Sequence, residues 1–235
     1  MSEVVELRQY TLKPGQLDVL IELFEREFIE SQEAEGMEIL GTFRDADNPN
    51  RFVWLRGFPD MERRAKSLTD FYGGRVWKAH REAANATMLD SDNVLLLRPA
   101  WSGSGFKRDS ARSAGVSATP ENGIIATIYY LHEAASADFV QMFRNEMPSL
   151  PRTRCRGCFL AAYVTEHSPN TFPALPARED ANVFVWCASV ADVNAVPVIQ
   201  LPSALEAALV RTPEILRLLP TQRSRLPGAQ NPAQR

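Results

Sequence analysis

The sequence predicts an α+β fold of two βαββαβ units whose sheets pack face to face and close into a barrel within one chain. Three observations carry the prediction: a repeat that spans the chain, apolar stripes at helical spacing, and strand-like runs in the same order in both halves. The run ELRQYTL matches ATIYYLH, with Tyr10 falling on Tyr130. ILGTFRDADNPN then matches CFLAAYVTEHSPN, so that Phe43 meets Tyr163 and Asn50 meets Asn170. RFVWL at 51–55 pairs with VFVWC at 183–187 once the second half accepts an insertion, TFPALPAREDAN. LLLRP ending at Pro99 matches LRLLP ending at Pro220, so the second half lacks a counterpart of TDFYGGRVWKAHRE.

Each element can be justified in turn. Val4–Leu12 reads as the first strand. After a Pro-Gly turn, Leu17, Leu20, Ile21, Phe24 and Phe28 recur at helical spacing, with Asp18, Glu22, Glu25 and Arg26 on the opposite side. Met37–Asp45 and Arg51–Phe58 are strands separated by an NPN turn, and Asn93–Arg98 is the fourth. Gly73 and Gly74 separate two short helices before that last strand, or let Phe71 and Tyr72 lean over a barrel mouth as a lid. In the second half Phe139, Met142, Phe143 and Met147 form the matching helical stripe. The order βαββαβ makes a four-stranded antiparallel sheet with helices on one face, the ferredoxin-like unit. A tandem copy covers the bare face. The expected organisation is residues 1–100, a linker over 101–122 anchored by Trp101 and Phe106, a second unit over 123–223, and a frayed tail over 224–235.

Composition bounds the function. The chain of 235 residues is 45% hydrophobic with a formal charge of −3, a soluble globular balance without the basic field that nucleic acid requires. No apolar run is long enough for a membrane span and the N-terminus does not read as a secretory signal, so a cytoplasmic location with reduced cysteines is expected. Cys155 and Cys158 make a CxxC without a second pair, and His80, His132 and His167 show no metal-binding spacing. No phosphate-binding glycine loop occurs. No cofactor, no metal, no nucleic acid and no membrane is implied; a small-molecule ligand and a homo-oligomer remain open as partners.

YTLKPG at 10–15, GTFR at 41–44, FVWL, FYGG..W..HR..AN at 71–85 and NVLLLRP together resemble the NIPSNAP domains of the dimeric α/β-barrel superfamily. NTFP.LP.RED.NVFVW at 170–186 resembles them in the second half. The resemblance implies the fold. For chemistry it implies only a scaffold that hosts cofactor-independent oxygenases, haem-degrading enzymes, isomerases and members without an assigned reaction, so no residue role is carried over.

Strand parity nominates the site. Glu6, Arg8 and Tyr10 share one face, as do Trp54 and Arg56, and these are assigned to the barrel interior with Ala126, Ile128, Tyr130 and Trp186 opposite. Val53 and Leu55 are assigned to the helices. Such a cavity would take a small aromatic molecule carrying a negative charge. The plainer alternative is a buried ion cluster with no ligand. His80, at helical spacing from Trp77, is the candidate general base or haem ligand, with Arg8 and Arg56 as oxyanion stabilisers and Tyr72 and Trp77 shaping the site. A pocket is expected between the 69–82 segment and the 171–182 insertion. One reading is a cofactor-independent oxygenase or isomerase, in which leucine at Arg8 or Arg56 abolishes ligand retention without unfolding. The other is a non-catalytic protein-interaction module, which a filled barrel would favour.

Overall fold

The computed structural model describes residues 2–107, 122–146, 158–194, 201 and 203–226. Eight strands, β1 (Val4–Leu12), β2 (Glu38–Asp45), β3 (Arg51–Phe58), β4 (Met88–Pro99), β5 (Gly123–Tyr130), β6 (Cys158–Thr165), β7 (Val183–Val190) and β8 (Glu214–Pro220), form one closed antiparallel barrel in the order β1-β3-β2-β8-β5-β7-β6-β4. Within each half the strands run fourth, first, third, second. Two short seams join the halves: Phe43, Arg44 and Asp45 pair with Pro220, Leu219 and Leu218, and Leu97, Arg98 and Pro99 pair with Thr165, Val164 and Tyr163.

Helices lie outside the barrel. On the first half these are α1 (Leu17–Leu23), a π-helical turn at Phe24–Phe28, α2 (Ile29–Ala34), α3 (Met61–Gly73) and α4 (Arg75–Thr87). On the second half they are α5 (Ala137–Glu146) and the single turn α6 (Ser203–Glu206). The π turn is closed by the Ile29 N–H donating to the Phe24 carbonyl, and it keeps Phe24 and Phe28 both buried on the sheet side. The helix then ends at Gly36, whose φ of +86° only glycine adopts without strain. Gly74 separates α3 from α4, which makes the two glycines a helix junction.

The barrel interior is packed with side chains and is not the site nominated from parity. Val5, Leu7, Val53, Leu55, Leu95 and Leu97 meet Ile124, Ala126, Ile128, Val185, Cys187 and Leu216 there. Glu6, Arg8, Tyr10, Trp54 and Arg56 do share one face, but it is the outer face, beneath the helices. The reason is the need for polar partners. The interior is filled by side chains from all eight strands and, among the described residues, takes rings such as Phe43 and Tyr163 but no charged group, whereas the layer between sheet and helix supplies the arginines with Glu6, Gln32 and Asn170 as partners. In the second half Ala126, Ile128 and Tyr130 do point inward, while Trp186 lies outside with Phe184 and Phe143.

The strand pairing also corrects the repeat. Arg8 stands opposite Trp54 and Tyr10 opposite Phe52, while Thr127 stands opposite Trp186 and Tyr129 opposite Phe184. Tyr10 therefore corresponds to Tyr129, not Tyr130. A slip of one residue along a strand reverses which face every side chain occupies.

The segments between and after the units are partly built into the barrel. Phe106 enters the interior and its N–H donates to the Tyr163 hydroxyl at 3.0 Å, while Trp101 stacks on Phe159. The stretch expected to fray is held at its start: Ser224 accepts from the Thr42 N–H at 3.1 Å and Leu226 is buried in the interior. Just before it, Glu25 accepts from the Thr221 hydroxyl at 2.6 Å and the Arg223 N–H at 2.9 Å.

Candidate functional site

Between the first-half sheet and its helices one carboxylate serves three guanidiniums. Glu6 comes from β1 and Arg56 from its β3 partner position, so pairing alone sets them side by side. Glu6 Oε2 accepts from Arg56 Nε at 2.7 Å and Arg8 Nη1 at 2.8 Å, and Oε1 accepts from Arg64 Nε of α3 at 2.7 Å. Arg8 Nε donates to the Tyr10 hydroxyl at 3.0 Å, and Arg56 Nη1 to Gln32 of α2 at 2.9 Å. The side chains of Glu6, Arg56 and Arg64 are 0% exposed and that of Arg8 is 1%. Among the described residues three cations face one anion, which leaves an excess positive charge in a layer closed to solvent.

The electrostatics follow from that count. Burial alone would push the Glu6 carboxyl up, but Arg56, Arg8 and Arg64 together hold it well below the ordinary carboxylate range. Burial would likewise pull Arg8 down, yet Tyr10 and Glu6 hold it above the usual guanidinium value. Arg64 is lowered because its burial outweighs its contact with Glu6. Glu6 is thus locked as an acceptor and is no proton acceptor at neutral pH. Arg56 Nη2 and Arg64 Nη2 are buried without an acceptor.

Aromatic rings wall the cluster. Arg56 lies 5.0 Å over Trp54, and Arg8 lies 5.4 Å from the Tyr10 centroid and 5.6 Å from that of Trp54. Tyr72 and Trp77 meet at 4.8 Å, and Tyr72 stands 6.0 Å from the Arg56 guanidinium. The 171–182 insertion crosses from the other half and closes over this layer. Phe172 stacks on Tyr72 at 5.8 Å, Arg64 Nη1 donates to Asn170 at 3.0 Å, and the Thr171 hydroxyl donates to the Met61 carbonyl at 3.1 Å. The two unequal pieces touch directly where a pocket between them was expected.

Other nominated residues lie apart. His80 Nε2 sits 3.4 Å from Glu27 on a partly exposed helix face and makes an edge contact with Phe28, with no contact to the Arg8–Glu6–Arg56 group. Tyr130 stands at one barrel end, where its hydroxyl donates to Glu214 at 2.9 Å and accepts from Arg178 at 3.1 Å, with the Arg211 guanidinium 3.8 Å from its ring centroid. A cleft of about 610 Å³ lined by Asp90, Asp92, Asn93, Arg178, Arg211, Thr212 and Glu214 opens there. Cys155 lies outside the described residues, and among those described no group of three or more metal-ligating side chains gathers.

Sequence reasoning missed Arg64, Gln32 and Asn170. The signal for Arg64 was present: it stands in one stripe with Leu68 and Phe71, an arginine on the apolar face of α3. The structure also changes what leucine at Arg8 or Arg56 would do. Each removes a hydrogen-bond donor from a fully buried carboxylate, so destabilisation accompanies any loss of ligand.

Comparison with known proteins agrees with this architecture. The NIPSNAP family model matches residues 5–103. A candidate monooxygenase from Lactobacillus acidophilus NCFM superposes with a TM-score of 0.56 over 94% of both chains at 12% identity. An anthrone oxidase-like protein superposes with a TM-score of 0.54 over 94% of both chains at 11% identity. A NIPSNAP family protein from Agrobacterium tumefaciens covers 41% of this chain and 91% of its own at 21% identity, with a TM-score of 0.38. No curated protein matches the chain at a significant level.

Proposed function

We propose that the NIPSNAP domain formed by residues 5–103 binds a small aromatic molecule between its sheet and the α3–α4 pair, with Glu6, Arg8, Arg56 and Arg64 as the polar floor and Trp54, Tyr72 and Trp77 as walls. One observation carries this reading. At the positions that correspond to Glu6, Arg8 and Arg56 through strand pairing, the second half has Ile125, Thr127 and Ala188, around the same tryptophan and phenylalanine. Among its described residues the second half packs helix on sheet without a buried charged side chain at these positions, so the fold does not require the cluster. Buried ions cost several kcal/mol each unless fully paired, and a site that keeps three guanidiniums serves something beyond packing.

Binding is better supported than catalysis. Glu6 is held too low to take a proton, and His80 points toward Glu27 instead. The names of the monooxygenase and anthrone oxidase-like neighbours suggest oxygen chemistry, and the family resemblance suggests that it would run without a cofactor, with Arg8 and Arg56 stabilising an oxyanion. That reaction is the finer form of the proposal. We also read the chain as two tandem ferredoxin-like units, because both halves place their strands in the same spatial order.

A second reading is favoured by the packed barrel interior: a non-catalytic module whose barrel is only a scaffold. Native mass spectrometry of the freshly purified chain separates the two. A co-purifying small organic molecule retained by the parent and lost from Trp77→Ala supports the binding site. A mass equal to the bare chain in both, together with no response to any aromatic compound, overturns it.

A further inference from the structure

We infer that the group recognised by this site is an anionic oxygen acid, a carboxylate carried on an aromatic ring, seated against Arg56 and Arg64. The inference rests on the binding reading above and deepens it. Two observations, independent of each other, carry it.

The first is charge. Among the described residues Glu6 is the one carboxylate hydrogen-bonded to Arg8, Arg56 and Arg64, and both its oxygens are already used. The other side chains that accept from these guanidiniums, Tyr10, Gln32, Asn170, Thr171 and Met37, are neutral. Rings facing Arg8 and Arg56 soften the excess positive charge without cancelling it. In a region of low dielectric, a net cationic cluster is neutralised by an anion far more effectively than in water.

The second is unused donors. Arg56 and Arg64 each leave Nη2 buried and without an acceptor, although the same two residues have their Nε and Nη1 groups bonded. Buried donors cost stability when unmet, and guanidinium N–H groups match carboxylate oxygens in spacing. Trp54 also leaves its indole N–H unmet, but so does Trp186, its counterpart in the second half, where the matching strand positions carry no charge. The arginines, not the tryptophan, therefore mark the acid-binding end, and the ring of the ligand falls to the Tyr72–Trp77 side.

Benzoate, benzamide and sulfate are the probes, titrated separately into the full chain while tryptophan fluorescence and the thermal midpoint are recorded. The expected result is benzoate binding about tenfold or more tighter than its neutral isostere benzamide, with sulfate weaker than benzoate. Arg64→Leu should reduce benzoate to the level of benzamide. Equal affinity for benzoate and benzamide overturns the acid inference and leaves the aromatic site standing. Sulfate as effective as benzoate, with benzamide inert, keeps the anion but overturns the aromatic reading. No response to any of the three overturns both. The comparison between probes uses the parent chain, so it stands even where Arg64→Leu fails to fold.

Discussion

Glu6 is the residue on which the first half turns. Replacing it with glutamine leaves three buried guanidiniums facing a neutral amide, which should cost about 3–5 kcal/mol, read as a lower urea midpoint. Because the folded carboxyl is held below its ordinary value of 4.5, its contribution is complete above that pH and is lost as pH falls through the depressed folded value. Parent and Glu6→Gln should therefore converge in stability only in strong acid. Cys187 has the opposite sign. Burial pushes its thiol up to about 12 from 9.0, so its contribution is intact below pH 9 and fades as pH rises from there toward 12. Native-state alkylation at pH 8 followed by peptide mass mapping should find Cys187 unmodified, and rapid labelling there would contradict its place in the barrel interior. Alternation made Glu6 legible with Arg8 on β1 and Arg56 with Trp54 on β3, whichever face is buried, and the β1–β3 register joins the two pairs. For Arg64 the sequence carried its place on the apolar face of α3 but not its partner, since its contact with Glu6 is made across layers.

At the scale of elements, the 171–182 insertion is the piece whose role changed most. Its prolines mark it as a rigid loop in the sequence, which sets it beside the 69–82 segment as one wall of a pocket and not as a cover in direct contact. Phe172 and Leu175 nonetheless join the apolar layer of α3 and α4. Phe172→Ala should loosen that cover. Stability should fall by about 1–3 kcal/mol, and amide exchange should accelerate in α3 around Tyr72 while β1 stays protected. Unchanged exchange in α3 would show that the loop is not a cover. The helix spanning α1, the π turn and α2 was visible from its apolar spacing, but the π turn was not. One extra residue in a turn leaves the stripe nearly in phase, so only the Phe24–Ile29 hydrogen bond reveals it.

At the scale of the molecule, the interior is common property. Strands of both halves fill one cluster, and Phe106 and Leu226 reach it from segments that carry no periodic pattern. Tryptophan fluorescence and far-ultraviolet circular dichroism should follow one coincident denaturant transition, and two separated transitions would mean that the halves fold independently. Phe106→Ala should cost about 3–4 kcal/mol, as a core phenylalanine does, although it lies outside every strand.

Order and periodicity are local properties, so the sequence alone determined the run of strands and helices and which residues stand together along each strand. The choice of face belonged to the tertiary structure. Whether a charged side chain points inward depends on how the closed barrel is filled and on which helix lies over the strand to supply partners, and neither is written in any one segment. That single geometric fact moved the charged residues from the barrel interior to the layer beneath α3, where Arg64 and the loop from the other half complete their surroundings.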